Sequence, residues 1–142
     1  MHRRKDETTN KTFVKALGQL AQKQEPAEKK MFYRCTLDHS QVLESEESIV
    51  ILGDVLEGSS VISDRNIFVL GSLYGFAHAG AKGNTGACVM AMEMAPEILK
   101  IADVEYVSKK RKGKAKLQPK MACLRNKKIA FEEITKETLN NF

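Results

Sequence analysis

The chain has 142 residues, 42% of them apolar, with three cysteines, no tryptophan and a net charge of +5. That length holds one domain and hardly two, and the apolar share suffices for a core. Residues 1–31 carry eight Lys/Arg against four Asp/Glu, 32–107 four against eleven, and 108–142 eleven against three. An acidic body between basic ends is not the footprint of a nucleic-acid-binding face, so no nucleic-acid partner is expected. Cys35, Cys88 and Cys123 form no CxxC pair and read as reduced thiols packed as small hydrophobes. The basic start MHRRKDETTN leads into no apolar run, and GACVMAMEMA is too short to span a bilayer and contains Glu93. The expected setting is the cytoplasm.

From Thr9 to Lys23, Phe13, Val14, Ala16, Leu17, Leu20 and Ala21 recur at helical spacing, with Thr9 or Asn10 as N-cap. The polar stretch QKQEPAEKK around Pro26 then reads as a linker. The chain divides accordingly into a helical arm and linker over 1–31 and a β domain over 32–142. Phe32–Thr36 reads as a first strand, Leu37–Gln41 as a turn, and Leu43–Glu47 as an exposed acidic segment.

The next stretch repeats itself. Ile49-Val50-Ile51-Leu52-Gly53-Asp54 returns 18 residues later as Ile67-Phe68-Val69-Leu70-Gly71-Ser72. A weaker copy, Ala87-Cys88-Val89-Met90-Ala91, begins 20 residues after Ile67, and in the same register Val61 maps onto Ala79. A fixed short period of β-branched runs ended by glycine marks a stacked solenoid. Eighteen residues at about 3.3 Å each give roughly 60 Å of chain, one turn of a three-sided coil. Gly53, Gly71, Gly80 and Gly83 fall where such a coil needs corners, and positive φ is the reason to put glycine there. The expected fold is all-β, a parallel β-helix of roughly three coils; the competing reading is a sandwich with two similar strands.

A strand with one wet face alternates apolar and polar residues, and these do not. One column, Ile49, Ile51, Ile67, Val69 and Val89, fills the solenoid. The second, Val50, Leu52, Phe68, Leu70 and Met90 with Cys88, needs a cover. A second copy of the chain is the simplest cover, since a flat self-complementary face dimerises isologously. The N-terminal helix or the C-terminal segment would be the intramolecular alternative. Pro96–Asp103 gives a last strand or helical turn, and SKKRKGKAK a basic loop. Met121–Leu124 and Lys128–Ile134, around Arg125-Asn126, form a hairpin-like pair suited to capping the solenoid or reaching across a partner.

Catalytic signatures are missing: there is no GxxxxGK[ST], GxSxG or HExxH and no clustered metal ligands. No cofactor, metal or catalytic residue is expected. His78, in AHAGAKG, invites comparison with β-helix acyltransferases, which use a loop histidine as general base. Those enzymes need strict hexapeptide repeats, which this chain lacks, so His78 is read as satisfying backbone groups.

The segments FYRCTLDHSQV, SIVILGDVLEGSSVIS, NIFVLGSLYGFAHAGAKG, PEILKIAD and MACLRNKKIAFEEI together resemble the C-terminal domain of the MinC septum site-determining family. The resemblance covers about 100 residues, from Phe32 to Ile134. It implies a right-handed triangular β-helix that dimerises through one face. It also implies a non-catalytic division inhibitor that binds the ATPase MinD and the acidic tail of FtsZ, and that reaches the inner face of the cell membrane only through MinD. The family carries Arg-Ser-Gly-Gln in the turn that meets MinD, where this chain has Asp38-His39-Ser40-Gln41, so Gln41 and, by position, Ser40 are the residues placed on that side. On the FtsZ side, Tyr74 stands beside Gly75 where the family has arginine. The family's separate N-terminal domain is longer than residues 1–31. A polymer-forming solenoid of the bactofilin type is the alternative, and the acyltransferase a weaker one.

Overall fold

The computed structural model describes residues 29–109 and 118–137, and the arm expected at 9–23 lies outside them. Residues 29–134 make one compact unit, and among the described residues its named elements are strands. Strands β1 (Lys30–Tyr33), β3 (Ser48–Ile51), β5 (Ile67–Leu73) and β7 (Val89–Met94) stack in parallel as one sheet. Strands β2 (Val42–Ser45), β4 (Ser60–Ser63), β6 (Phe76–Ala79) and β8 (Ile98–Ile101) stack in parallel as a second. Between them, Leu37, Val55 and Leu73 bridge in parallel and form a third, narrow side. The chain therefore winds a three-sided β-solenoid of four coils, one more than the repeat suggests, because β1, Leu37 and β2 form an opening coil whose sequence does not repeat that of the later coils.

Inward side chains stack coil upon coil. Ile49 lies on Ile67 and Ile67 on Val89; Ile51 lies on Val69 and Val69 on Ala91; Leu43, Val61, Ala77 and Leu99 form a third column. With Leu37, Val55 and Leu73 they make the buried core. Each large side chain fully buried in this way contributes about 1.5–3 kcal/mol. Leu43, expected in an exposed segment, points inward on β2 and packs against this core.

The pairing corrects the period. Val61 pairs with Ala77, not Ala79, because the turn before β6 is two residues shorter than the one before β4. Ile67 pairs with Val89, not Ala87, because the Gly80–Ala87 segment lengthens the last coil. The β5–β7 register shifts between Val69 and Ser72, where β5 rounds a corner at Gly71.

Glycine is needed at that corner for room, not for φ. A Cβ on Gly53 would collide with the Cys35 carbonyl oxygen, and one on Gly71 with the carbonyl oxygen of Gly53. Left-handed backbone does occur at Gly80 and Gly83, whose φ values are 59° and 104°. At the corner leading into the first sheet, polar side chains replace missing strand bonds. The Asn66 amide donates to Ser48 Oγ (3.1 Å), and Asn66 Oδ1 accepts from the Cys88 amide (2.9 Å). Buried Ser63 donates to the Glu47 carbonyl (2.7 Å).

The final coil is closed by antiparallel strands. β9 (Val104–Val107) pairs with β8, β10 (Lys120–Arg125) with β7, and β11 (Lys128–Glu133) with β10. The expected hairpin turns at Asn126 and Lys127, both with positive φ. Tyr106 of β9 meets Phe131 of β11 edge to face at 4.8 Å, so the two closing flaps touch.

Gly71→Ala forces the stacked corner apart and is expected to cost about 1–3 kcal/mol in urea denaturation. Gly86→Ala, whose Cβ would meet only Asn84 Oδ1 at 3.4 Å, serves as the near-neutral comparison; equal losses at both sites would refute the corner argument.

Candidate partner-binding edge

The residues expected to meet partners come from different parts of the chain, and coiling places most of them along one edge, between the narrow side and the second sheet. In the first coil the turn Asp38–Gln41 is closed by the Gln41 amide donating to the Asp38 carbonyl (3.2 Å). The Gln41 side chain folds back, its Oε1 accepting from the Asp38 amide at 2.7 Å. His39 and Ser40 have φ of 20° and 60°, a region that non-glycine residues enter at a cost. Ser40 stands where the family pattern has glycine. His39 Nε2 lies 3.6 Å from Asp38, but the two side chains are 90% and 59% exposed, so the pair adds little.

Above this turn comes Gly58, whose carbonyl accepts from the Ser40 amide (2.9 Å) and whose amide donates to Glu97 Oε1 (3.0 Å). The third coil contributes Tyr74 and Gly75, with room for no Cβ at Gly75 against the carbonyls of Ser59 and Leu56. In the fourth, the Glu97 amide donates to the carbonyls of Tyr74 and Gly75 (3.1 and 3.0 Å). Ser40, Gln41, Tyr74 and Gly75 are thus on one edge, two coils apart, which is roughly 10 Å at the usual strand spacing.

Tyr74 reaches from that edge across the narrow side. Its hydroxyl donates to Glu93 Oε1 at 2.6 Å, and the same oxygen accepts from Ser72 Oγ at 2.9 Å. The Ser72 amide donates to Asp54 Oδ1 (2.8 Å). The bond to Glu93 holds the Tyr74 phenol above its ordinary pKa, with burial and the charges of Glu93 and Asp54 acting the same way and the Ser72 bond opposing. The outer surface here is acidic, carrying Asp54 and Glu93. Sequence reading missed Glu93, Asp54 and Glu97 as parts of this surface. The signal was available in their spacing, since Asp54 and Ser72 are one period apart.

Other candidates separate. Val50, Phe68 and Met90 form one row across the outer face of the first sheet, continued by Phe32 and Met121. Leu52, just past β3, and Leu70, within β5, are half-buried beside it. The three row residues are buried in the single chain, at 0, 5 and 8% exposure, outside the central cluster. His78 Nε2 bonds the Ala102 carbonyl at 2.7 Å and its ring meets Phe76 edge to face at 6.2 Å. It ties the third coil to the β8–β9 turn. Among the described residues no group of three or more His, Cys, Asp or Glu is placed to hold a metal, and no helix is long and apolar enough to cross a membrane. None of Cys35, Cys88 and Cys123 is joined in a disulfide.

A solenoid with these corners has known counterparts. Residues 31–134 match the family described as septum formation inhibitor MinC, C-terminal domain. The chain belongs to this family. Among curated MinC relatives, a probable septum site-determining protein MinC of Lachnospira eligens is 39% identical over 120 residues, covering 78% of this chain and 49% of the relative. One of Clostridium novyi is 48% identical over 73 residues, 51% of this chain and 35% of the relative. The chain thus spans about half the length, or less, of these MinC proteins. A chain of the MinC:MinD cell division protein complex of Aquifex aeolicus superposes with a TM-score of 0.70 at 28% identity, over 80% of this chain and 95% of the other.

Two outcomes follow for the edge. Ser40→Gly relieves the left-handed strain at a position where the MinC pattern has glycine, and is expected to stabilise by about 1 kcal/mol in thermal or urea unfolding. The Tyr74 phenol bond is intact below the ordinary tyrosine pKa of about 10 and is lost as pH rises through the higher folded value. Phenolate absorbance at high pH should therefore show an ionisation above the ordinary range that is absent in Tyr74→Phe and earlier in Glu93→Gln.

Proposed function

We propose that this chain acts as a non-catalytic inhibitor of septum formation that binds a MinD-type ATPase through the Asp38–Gln41 edge. The observation that carries this is the exposed, strained turn on a MinC-family solenoid, together with the likeness to a chain of a MinC:MinD complex. Strain held in a surface turn is characteristic of recognition sites. In this reading the chain has no membrane attachment of its own in the described residues and is carried to the inner membrane face by the ATPase. His78 takes no catalytic part, since its ring nitrogen is engaged by a backbone carbonyl.

FtsZ is the second proposed partner, met at Tyr74 and Gly75. Glu93 and Asp54 beside Tyr74 make this spot unfavourable for an acidic tail, so binding is weaker here than an arginine would give. The proposed assembly is a homodimer over the Val50–Phe68–Met90 row. Because those side chains are buried in the single chain, dimerisation there exchanges one cover for another. The division at residue 31 into arm and partner-binding body is part of the same proposal.

The test is co-pelleting of the full chain with its cognate MinD-type ATPase on phospholipid vesicles, with ATP and with ADP. ATP-dependent recruitment that Gln41→Ala weakens about tenfold supports the reading, and no recruitment at micromolar concentration overturns it. For FtsZ, Tyr74→Arg is expected to tighten binding of an acidic tail peptide several-fold in fluorescence anisotropy; an unchanged or weaker affinity removes this edge as the tail site.

A further inference from the structure

The outer face of the second sheet carries a feature that the edge does not use. Pairing sets Val42, Ser60, Phe76, Ile98 and Val107 side by side in one row across β2, β4, β6, β8 and β9. Their sequence neighbours Leu43, Val61, Ala77 and Leu99 point into the core, so this row points out. Val42 and Val107, at its two ends, are 59% and 60% exposed; Phe76 and Ile98 are half-buried. Ile62 widens the stripe from the adjacent row. An apolar stripe across these strands, broken only by Ser60 on β4, marks an interaction surface.

Charge identifies what fits it. On one flank, in the preceding turns, stand exposed Asp38, Glu57 and Glu97, with exposed Lys109 just past Val107; on the other stand exposed Glu44 and Glu105. Lys100 and His78 lie between those last two in the same row. A second copy fits poorly: the five rim carboxylates outnumber Lys100 and Lys109, so two copies stacked on this face bring net acidic surfaces together. Like charges facing each other across an interface oppose association. The row is four strand spacings long, about 19 Å, which is the length of about 13 residues of α-helix. Apolar residues at helical spacing on such a segment, with basic residues beside them, match both the stripe and its rims.

We infer that the outer face of this sheet docks an amphipathic helix of another protein, its apolar stripe flanked by Lys or Arg. This holds whether or not the Asp38–Gln41 turn meets an ATPase, because Val42, Val107 and the Glu44–Glu105 rim lie outside that turn and only Asp38 is common to both.

The test uses the full chain and three synthetic 14-residue helical peptides in fluorescence anisotropy. The first has leucines on one face and lysines on both flanks, the second has glutamates on the flanks, and the third has the first peptide's composition with leucines spread around the helix. The first is expected to bind at least tenfold tighter than the other two. Val42→Asp and Val107→Asp, each made separately, are expected to weaken it at least tenfold despite adding a negative charge. Met92→Asp on the other sheet should change it less than twofold. Glu44→Lys with Glu105→Lys should shift preference toward the glutamate-flanked peptide. Equal binding of the first and third peptides overturns the inference, as does wild-type affinity in both valine variants whose thermal melts match the parent. A fall in sedimentation mass from dimer to monomer in Val107→Asp also overturns it, making a second copy the occupant.

Discussion

Stacking of equivalent side chains in register is the interaction on which the rest of this structure depends. Ile49 on Ile67 on Val89 is repeated by Ile51 on Val69 on Ala91, and neither column has a partner unless the next coil is in place. A one-residue slip would turn each column to the outside. Register is held at the corners, where Cys35, Gly53 and Gly71 approach too closely for any side chain. It is held again by Asn66, whose amide and side chain bond the coils below and above it.

The same stacking builds surfaces. Residues one period apart in sequence become neighbours in space, so a change in one turn is felt by the turn above. The Asp38–Gln41 turn bonds to Gly58, Gly58 to Glu97, and Glu97 back to Tyr74 and Gly75. The edge is therefore continuous although its residues span the whole solenoid. Its charge comes from side chains outside the coil's core: Asp54 and Glu93 make the narrow side acidic above the Leu37, Val55 and Leu73 bridges.

The two sheets end differently for the same reason. A parallel stack leaves an unpaired edge at each end, and open edges invite further pairing. At the last coil, antiparallel β9 and the β10–β11 hairpin cover the exposed strands, and Tyr106 against Phe131 joins the flaps. Val42 and Val107, at the two ends of the outer row of the second sheet, are left in solvent.

By itself, the sequence determined the solenoid, the inward column from Ile49 to Val89, the final hairpin and the absence of catalytic signatures. These follow from short-range patterns: β-branched runs, glycine at a regular interval, and turn residues between apolar stretches. Only the tertiary structure decided which coil lies on which. Val61 meets Ala77, and Ile67 meets Val89, because turn lengths differ from coil to coil and a fixed period cannot absorb that. It also decided why the glycines are needed, since crowding against a neighbouring coil's carbonyl leaves no mark in local sequence. The opening coil was hidden for a related reason: Met31, Tyr33 and Leu43 share no motif with their successors, and become equivalent to them only once stacked.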